Sequence, residues 1–120
     1  MPFTLRRTGR IRLKRQIEQL FKEGQSMHVY PIRARWLDIP YDGVTARMMV
    51  SVPKKNFKRA VDRNLIKRRI RNAYRLHRDE LIVPEDRTRH FAFVCIAKTV
   101  PTYAETEAAI RTLLTNTAVR

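Results

Sequence analysis

Eleven lysines and arginines lie between Lys54 and Arg78, against a single acid, Asp62. On a wheel of about 100° per residue, Asn64, Lys67, Arg68, Arg71, Arg75 and Arg78 fall on one side. Ile66, Ile70, Ala73 and His77 fall opposite, with Leu65 and Leu76 flanking them. Solvated helix faces usually mix both signs so that residues four apart can pair. Here Lys67, Arg71 and Arg75 set like charge against like, at a cost of a few tenths of a kcal/mol per pair. A polyanion offsets that cost. The chemistry such a stripe can do is phosphate binding, in which guanidinium forks grip phosphate oxygens and displace condensed counterions. Apart from Asn64 it lacks the short polar side chains that read base edges, so it suits backbone phosphates and RNA shape better than DNA sequence.

Other reactive groups are scattered. His28, His77 and His90 are isolated, with no pair at metal-ligand spacing beside a carboxylate. His77, on the apolar side of the wheel, reads as a core or cleft residue. Asp79-Glu80 and Glu85-Asp86 read as solvated charge at a helix end. Three glycines in all leave no glycine-rich phosphate loop. Cys95, the one cysteine, sits in an apolar run and reads as a buried thiol in a reducing cytoplasm. No catalytic residue and no metal site is expected in this chain.

Composition frames these residues. The 120-residue chain has 26 Lys plus Arg against 11 Asp plus Glu, a formal net charge of +15, and the Lys54–Arg78 window supplies ten of those charges. With 43% hydrophobic residues it is no disordered basic tail. The longest apolar run, 91–97, is far short of the roughly 20 residues that span a bilayer. Met1 to Arg7 is basic but leads into more charge rather than a signal core. The expectation is one RNA-binding domain over 1–120, with 1–12 a mobile basic arm carrying Arg6, Arg7, Arg10 and Arg12.

Periodicity supplies the elements that must position the stripe. Leu13, Ile17, Leu20 and Phe21 recur at helical spacing, and Gly24 closes that helix. Alternation from Met27 to Ile39 predicts a strand with a wet face bearing Arg33 and Arg35. Pro40 to Gly43 is a turn, and Val44 to Val52 a second strand. The long helix spans about Phe57 to Leu81, and a buried strand follows from His90 to Ala97. Thr102 and Glu105 have capping-box spacing ahead of Ile110, Leu113 and Leu114 in a last helix. The order is α-β-β-α-β-α, with the first strand a candidate for splitting or bending. The class is α+β, a sheet with helices packed on it.

The stretch from Phe57 to Arg71 resembles the signature of the bacterial ribonuclease P protein family. Its pattern, Ala-x-x-Arg-Asn-x-Ile-Lys-Arg-x-Ile-Arg, has every defining position filled by Ala60, Arg63, Asn64, Ile66, Lys67, Arg68, Ile70 and Arg71. Upstream, Ser51-Val52-Pro53-Lys54-Lys55 is similar to the segment leading into that motif, and Phe21 to Gly24 to the end of the family's first helix. The resemblance runs from about Leu13 to Leu114. It implies a single α-β sandwich of α-β-β-β-α-β-α order with a left-handed βαβ crossover.

It also implies a function: the protein subunit of an endoribonuclease that removes the 5′ leader of precursor tRNA. The active site lies in a catalytic RNA subunit, with divalent cations, Mg2+ foremost, held mainly by that RNA. By the resemblance, Lys54, Lys55, Arg59, Arg63, Asn64, Lys67, Arg68, Arg71 and Arg75 face the catalytic RNA. Phe21, Arg33 and Arg35 belong to a cleft for the single-stranded leader. Ile17 and Arg35 stand near positions often aromatic in the family, and Met49 replaces a common glycine, so Arg33 and Arg35 are expected to attract phosphates where other members stack bases. The partners implied are the catalytic RNA and precursor tRNA, in the cytoplasm, with no membrane and no obligate protein partner. A ribosomal or other basic RNA-binding protein is the alternative reading of the composition.

Overall fold

Strand alternation divides the buried residues between two faces of one sheet. The computed structural model describes residues 10, 11 and 13–117. In chain order the elements are α1 (Lys14–Glu23), β1 (Gln25–Val29), β2 (Ile32–Pro40), β3 (Ala46–Ser51), α2 (Ala60–His77), β4 (Arg87–Cys95) and α3 (Tyr103–Asn116), with a 3-10 turn, Arg78–Glu80, after α2. The sheet order is β1-β2-β4-β3. β4 pairs antiparallel with β2 and parallel with β3. The fold is therefore α+β in the order α-β-β-β-α-β-α.

One face carries Ile32 and Ala34 of β2, Met48 and Val50 of β3, and Phe91, Phe93 and Cys95 of β4. Ile66, Ile70 and Ala73 of α2 and Ala109, Ile110, Leu113 and Leu114 of α3 complete that core. Phe91 and Phe93 stack at 5.2 Å, and Tyr74 of α2 tilts against Phe93 at 5.7 Å. Burial pushes the Tyr74 phenol up to about 12. The opposite face has a smaller cluster, in which Ile11, Leu20 and Ala92 are buried and Ile17, Leu37 and Met49 pack against them. Ile17 and Met49 thus share one cluster. α1 is held to the sheet by it.

The predicted strand from Met27 to Ile39 is two strands, folded back at Tyr30-Pro31, whose peptide bond is cis. Proline has no N–H to give a ladder, so the pairing ends there. Gly24 does close α1, but with extended backbone (φ −71) rather than a left-handed turn. Its reason is close approach: an added Cβ would run into the Leu20 carbonyl and stand 3.0 Å from that of Trp36. α2 is shorter than its periodicity predicts: residues 57–59 lead into it without helical turns, and after His77 it tightens into the 3-10 turn. β4 starts earlier than its apolar run, at Arg87. Arg89 is buried there in a two-bonded pair with Asp38, at 2.6 and 3.0 Å, and also donates to the Thr117 carbonyl. Breaking such a buried pair by removing one partner costs about 3–5 kcal/mol. The capping box of α3 is complete, with Thr102 Oγ1 accepting from the Glu105 N–H and the Glu105 carboxylate from the Thr102 N–H.

Candidate nucleic-acid interface

α2 buries Ile66, Ile70, Ala73 and Tyr74 and turns its other side outward. Asn64 and Arg68 are exposed, and Lys67, Arg71 and Arg75 are half-buried beside them. Arg59, just before the helix, and Lys54 and Lys55, in the turn after β3, are also exposed. Burial, with the charge of Arg10 as a second cause, holds the Arg71 guanidinium below the ordinary arginine range. Arg10 reaches this region because it bridges to Met48 on β3, and the Ile11 N–H donates to the Met48 carbonyl at 3.0 Å. The rest of the predicted arm, residues 1–9 and 12, lies outside the described residues.

Arg63 is placed differently from its neighbours in the motif. Its NH1 donates to the carbonyls of Phe57 and Lys58, at 2.7 and 3.0 Å. That ties the approach segment to the first turn of α2, where no side chain caps the helix. Within the motif, Arg63 organises the stripe from beneath.

The second surface lies on the α1 side of the sheet. The register sets Met49, Ala92, Arg35 and Ser26 in one row across β3, β4, β2 and β1, and Ser51, Val94, Arg33 and His28 in the next. Ala92 is fully buried by α1 and Val94 is half-buried, while Arg33 and His28 are exposed. The face is therefore uncovered beyond α1. Phe21, in the last turn of α1, is 37% exposed at its edge. Arg35 NH1 donates to the Phe21 carbonyl at 2.9 Å, and its guanidinium lies over the Phe21 ring, 5.7 Å from the centroid.

Two histidines have roles that their spacing did not reveal. His77 is not packed in apolar surroundings: Nε2 is 3.2 Å from Glu107 of α3 and Nδ1 4.0 Å from Glu80. Glu80 also pairs with Arg111, at 3.0 Å, so this acid links helices instead of being merely solvated. His90 is 1% exposed, with Nε2 3.3 Å from Arg47 NH1, which in turn grips Asp42 at 2.7 and 2.9 Å. Burial and the Arg47 charge lower the His90 pKa, and the Arg47 hydrogen bond lowers that of Asp42. The His77–Glu107 and His90–Arg47 links have no short-range signal in sequence, whereas His77 and Glu80 are three residues apart. Among the described residues, no group of three or more His, Cys, Asp or Glu side chains is placed to hold a metal ion. Cys95 is buried, and burial raises its thiol pKa. No helix among the described residues is long and apolar enough to cross a membrane.

A mixed four-stranded sheet with a helix whose outward charges are all positive on one side and an open, arginine-bearing face on the other defines a basic α+β protein shaped for a polyanionic partner. The family model described as Ribonuclease P matches residues 5–118. The ribonuclease P protein component of Porphyromonas gingivalis is 33% identical over 113 residues, covering 91% of this chain and 82% of the relative. The fold is similar to that of the RNase P protein from Thermotoga maritima, with a TM-score of 0.72 at 21% identity over 89% of this chain and 96% of that one. The Staphylococcus aureus RNase P protein superposes with a TM-score of 0.70 at 21% identity, over 88% and 92%. The chain belongs to the bacterial ribonuclease P protein family, as a protein component of that endoribonuclease ribonucleoprotein.

Proposed function

We propose that the exposed side of α2, with Lys54, Lys55 and Arg59, binds the catalytic RNA of ribonuclease P, and that the cleft beside α1 binds the 5′ leader of precursor tRNA. The observation that carries this reading is the charge of α2: every ionised side chain on its outward side is positive. Asn64, Lys67, Arg68, Arg71 and Arg75 would meet RNA phosphates, with Arg63 holding the helix start. Phe21, Arg33 and Arg35 would meet the leader. The chain acts as one cytoplasmic RNA-binding domain, in which Arg10 adds charge beside α2.

Catalysis is assigned to the RNA. This chain's part is positional and electrostatic. By holding catalytic RNA and leader together it makes leader capture intramolecular, so precursor binds more tightly than product. Its positive charge offsets phosphate repulsion that would otherwise need more magnesium to screen. Mature tRNA, lacking the leader, gains nothing from the cleft and leaves.

The test is reconstitution with a bacterial catalytic RNA on precursor tRNA at low magnesium, scoring leader release. The native chain should restore cleavage. Arg68→Ala with Arg71→Ala should weaken RNA binding and reduce the slope of log K against log salt by roughly 1–2. A folded double variant that rescues as well as the native chain would remove α2 from the interface.

A further inference from the structure

Two adjacent residues, Arg10 and Ile11, belong to both of the surfaces described above. They lie along the outer edge of β3, where Arg10 bridges to Met48 in parallel and the Ile11 N–H donates to the Met48 carbonyl at 3.0 Å. Successive side chains of an extended segment point to opposite faces. Arg10 stands on the Met48 side of the sheet, which α2 covers through Ile66 and Ile70, and its charge reaches Arg71. Ile11 turns to the other side, where it is 6% exposed in one cluster with Leu20 of α1 and Ala92 of β4. α1 begins soon after, at Lys14. One side chain thus joins the cationic surface, and the next joins the packing between α1 and the sheet.

Charge at this edge opposes that docking. Arg10 and Arg71 repel each other, and a phosphate between their guanidiniums would replace the repulsion with two attractions. We propose that Arg10 and Arg71 share one phosphate of the catalytic RNA, and that this contact fastens the segment to β3 so that Ile11 positions α1 for the leader. Catalytic RNA on one side of the sheet thereby raises leader affinity on the other. The inference rests on the two-surface reading above and adds the link between its parts. Its two states are the segment docked on β3 and the segment detached, and the docked state completes both surfaces. By linkage, the leader raises affinity for the catalytic RNA by the same factor.

The experiment uses the full chain with a bacterial catalytic RNA and compares Kd for precursor tRNA with and without its leader. The ratio of the two is the leader's gain. Arg10→Gln should reduce that gain by about five-fold or more and lower the salt slope of catalytic RNA binding by about one. Ile11→Ala should reduce the gain by a similar factor with the salt slope unchanged. The double variant should lose no more than either single one, because both act through one link. Amide exchange reads the link without any tRNA. Saturating catalytic RNA should slow exchange at Ile11 and along α1 in the native chain, but only along α2 in Arg10→Gln. Full leader gain in Arg10→Gln, with a smaller salt slope, would overturn the inference and leave Arg10 an independent phosphate contact. Exchange along α1 that slows equally in both chains, or in neither, would overturn it as well. A native complex with no leader gain would instead remove the leader-binding reading itself, and the link with it.

Discussion

His90 and Arg47 show how a single buried residue couples this fold to pH. With Arg47 donating toward Nε2, the imidazole must be neutral, and its pKa in the fold lies below the ordinary histidine value near 6.5. The unfolded chain therefore takes up the proton first. Stability contributed by this site is present above about pH 6.5 and is lost as pH falls toward the folded value. The depressed Asp42 carboxyl works in the same direction at lower pH, contributing above about 3.8 and losing that contribution below it. Urea midpoints should fall between about pH 7 and 5, and His90→Gln should flatten that interval. Equal pH slopes for native and variant chains would show that the site is not responsible. None of this was legible in sequence, since His90, Arg47 and Asp42 meet only once β3 lies beside β4.

Among the elements, α2 was the most legible and its first turn the least. A period of 3.6 with one-signed charge exposed both of its sides, because that signal is local and spans several turns. The start of the helix depends instead on Arg63 reaching back to two carbonyls, a contact that resembles any other arginine in a basic run. Arg63→Ala should lower the unfolding free energy by about 1–3 kcal/mol, since it strands the part-buried Phe57 carbonyl. Arg68→Ala, on the exposed side, should change it by less than about 0.5 kcal/mol. Urea denaturation of the two variants distinguishes them; equal losses would contradict the division. The same locality explains the strands. Alternation located Arg33 and Arg35 on one face and left the strand a candidate for splitting, but the place of the fold-back, Tyr30-Pro31, did not stand out because both halves keep a strand pattern. Arg87 to Arg89 looked like loop, because the residues that make Arg89 burial tolerable, Asp38 and Thr117, are remote in the chain.

At the scale of the whole molecule, a net charge of +15 repels itself in the folded state, and the cationic side of α2 concentrates that repulsion. Anions that bind the fold and not the unfolded chain will stabilise it by mass action. Sulfate should therefore raise the melting temperature more than chloride at equal ionic strength. Sulfate also strengthens apolar burial in general, so the informative comparison is with the Arg68→Ala, Arg71→Ala chain, whose gain should be smaller. An identical gain would place the anion elsewhere.

The position of β4 bears on how the chain is born. This strand sits between β2 and β3, so Ile32 must wait for Cys95 and Ser51 for Val94. Long-range pairings of this kind form late, because chain closure must precede the contacts that reward it. During translation the basic helix leaves the ribosome before the strand its apolar side is to cover. A nascent chain thus offers ribosomal and messenger RNA a strongly cationic segment that is not yet anchored, and the last third of the chain must emerge before that segment is fixed in its final place.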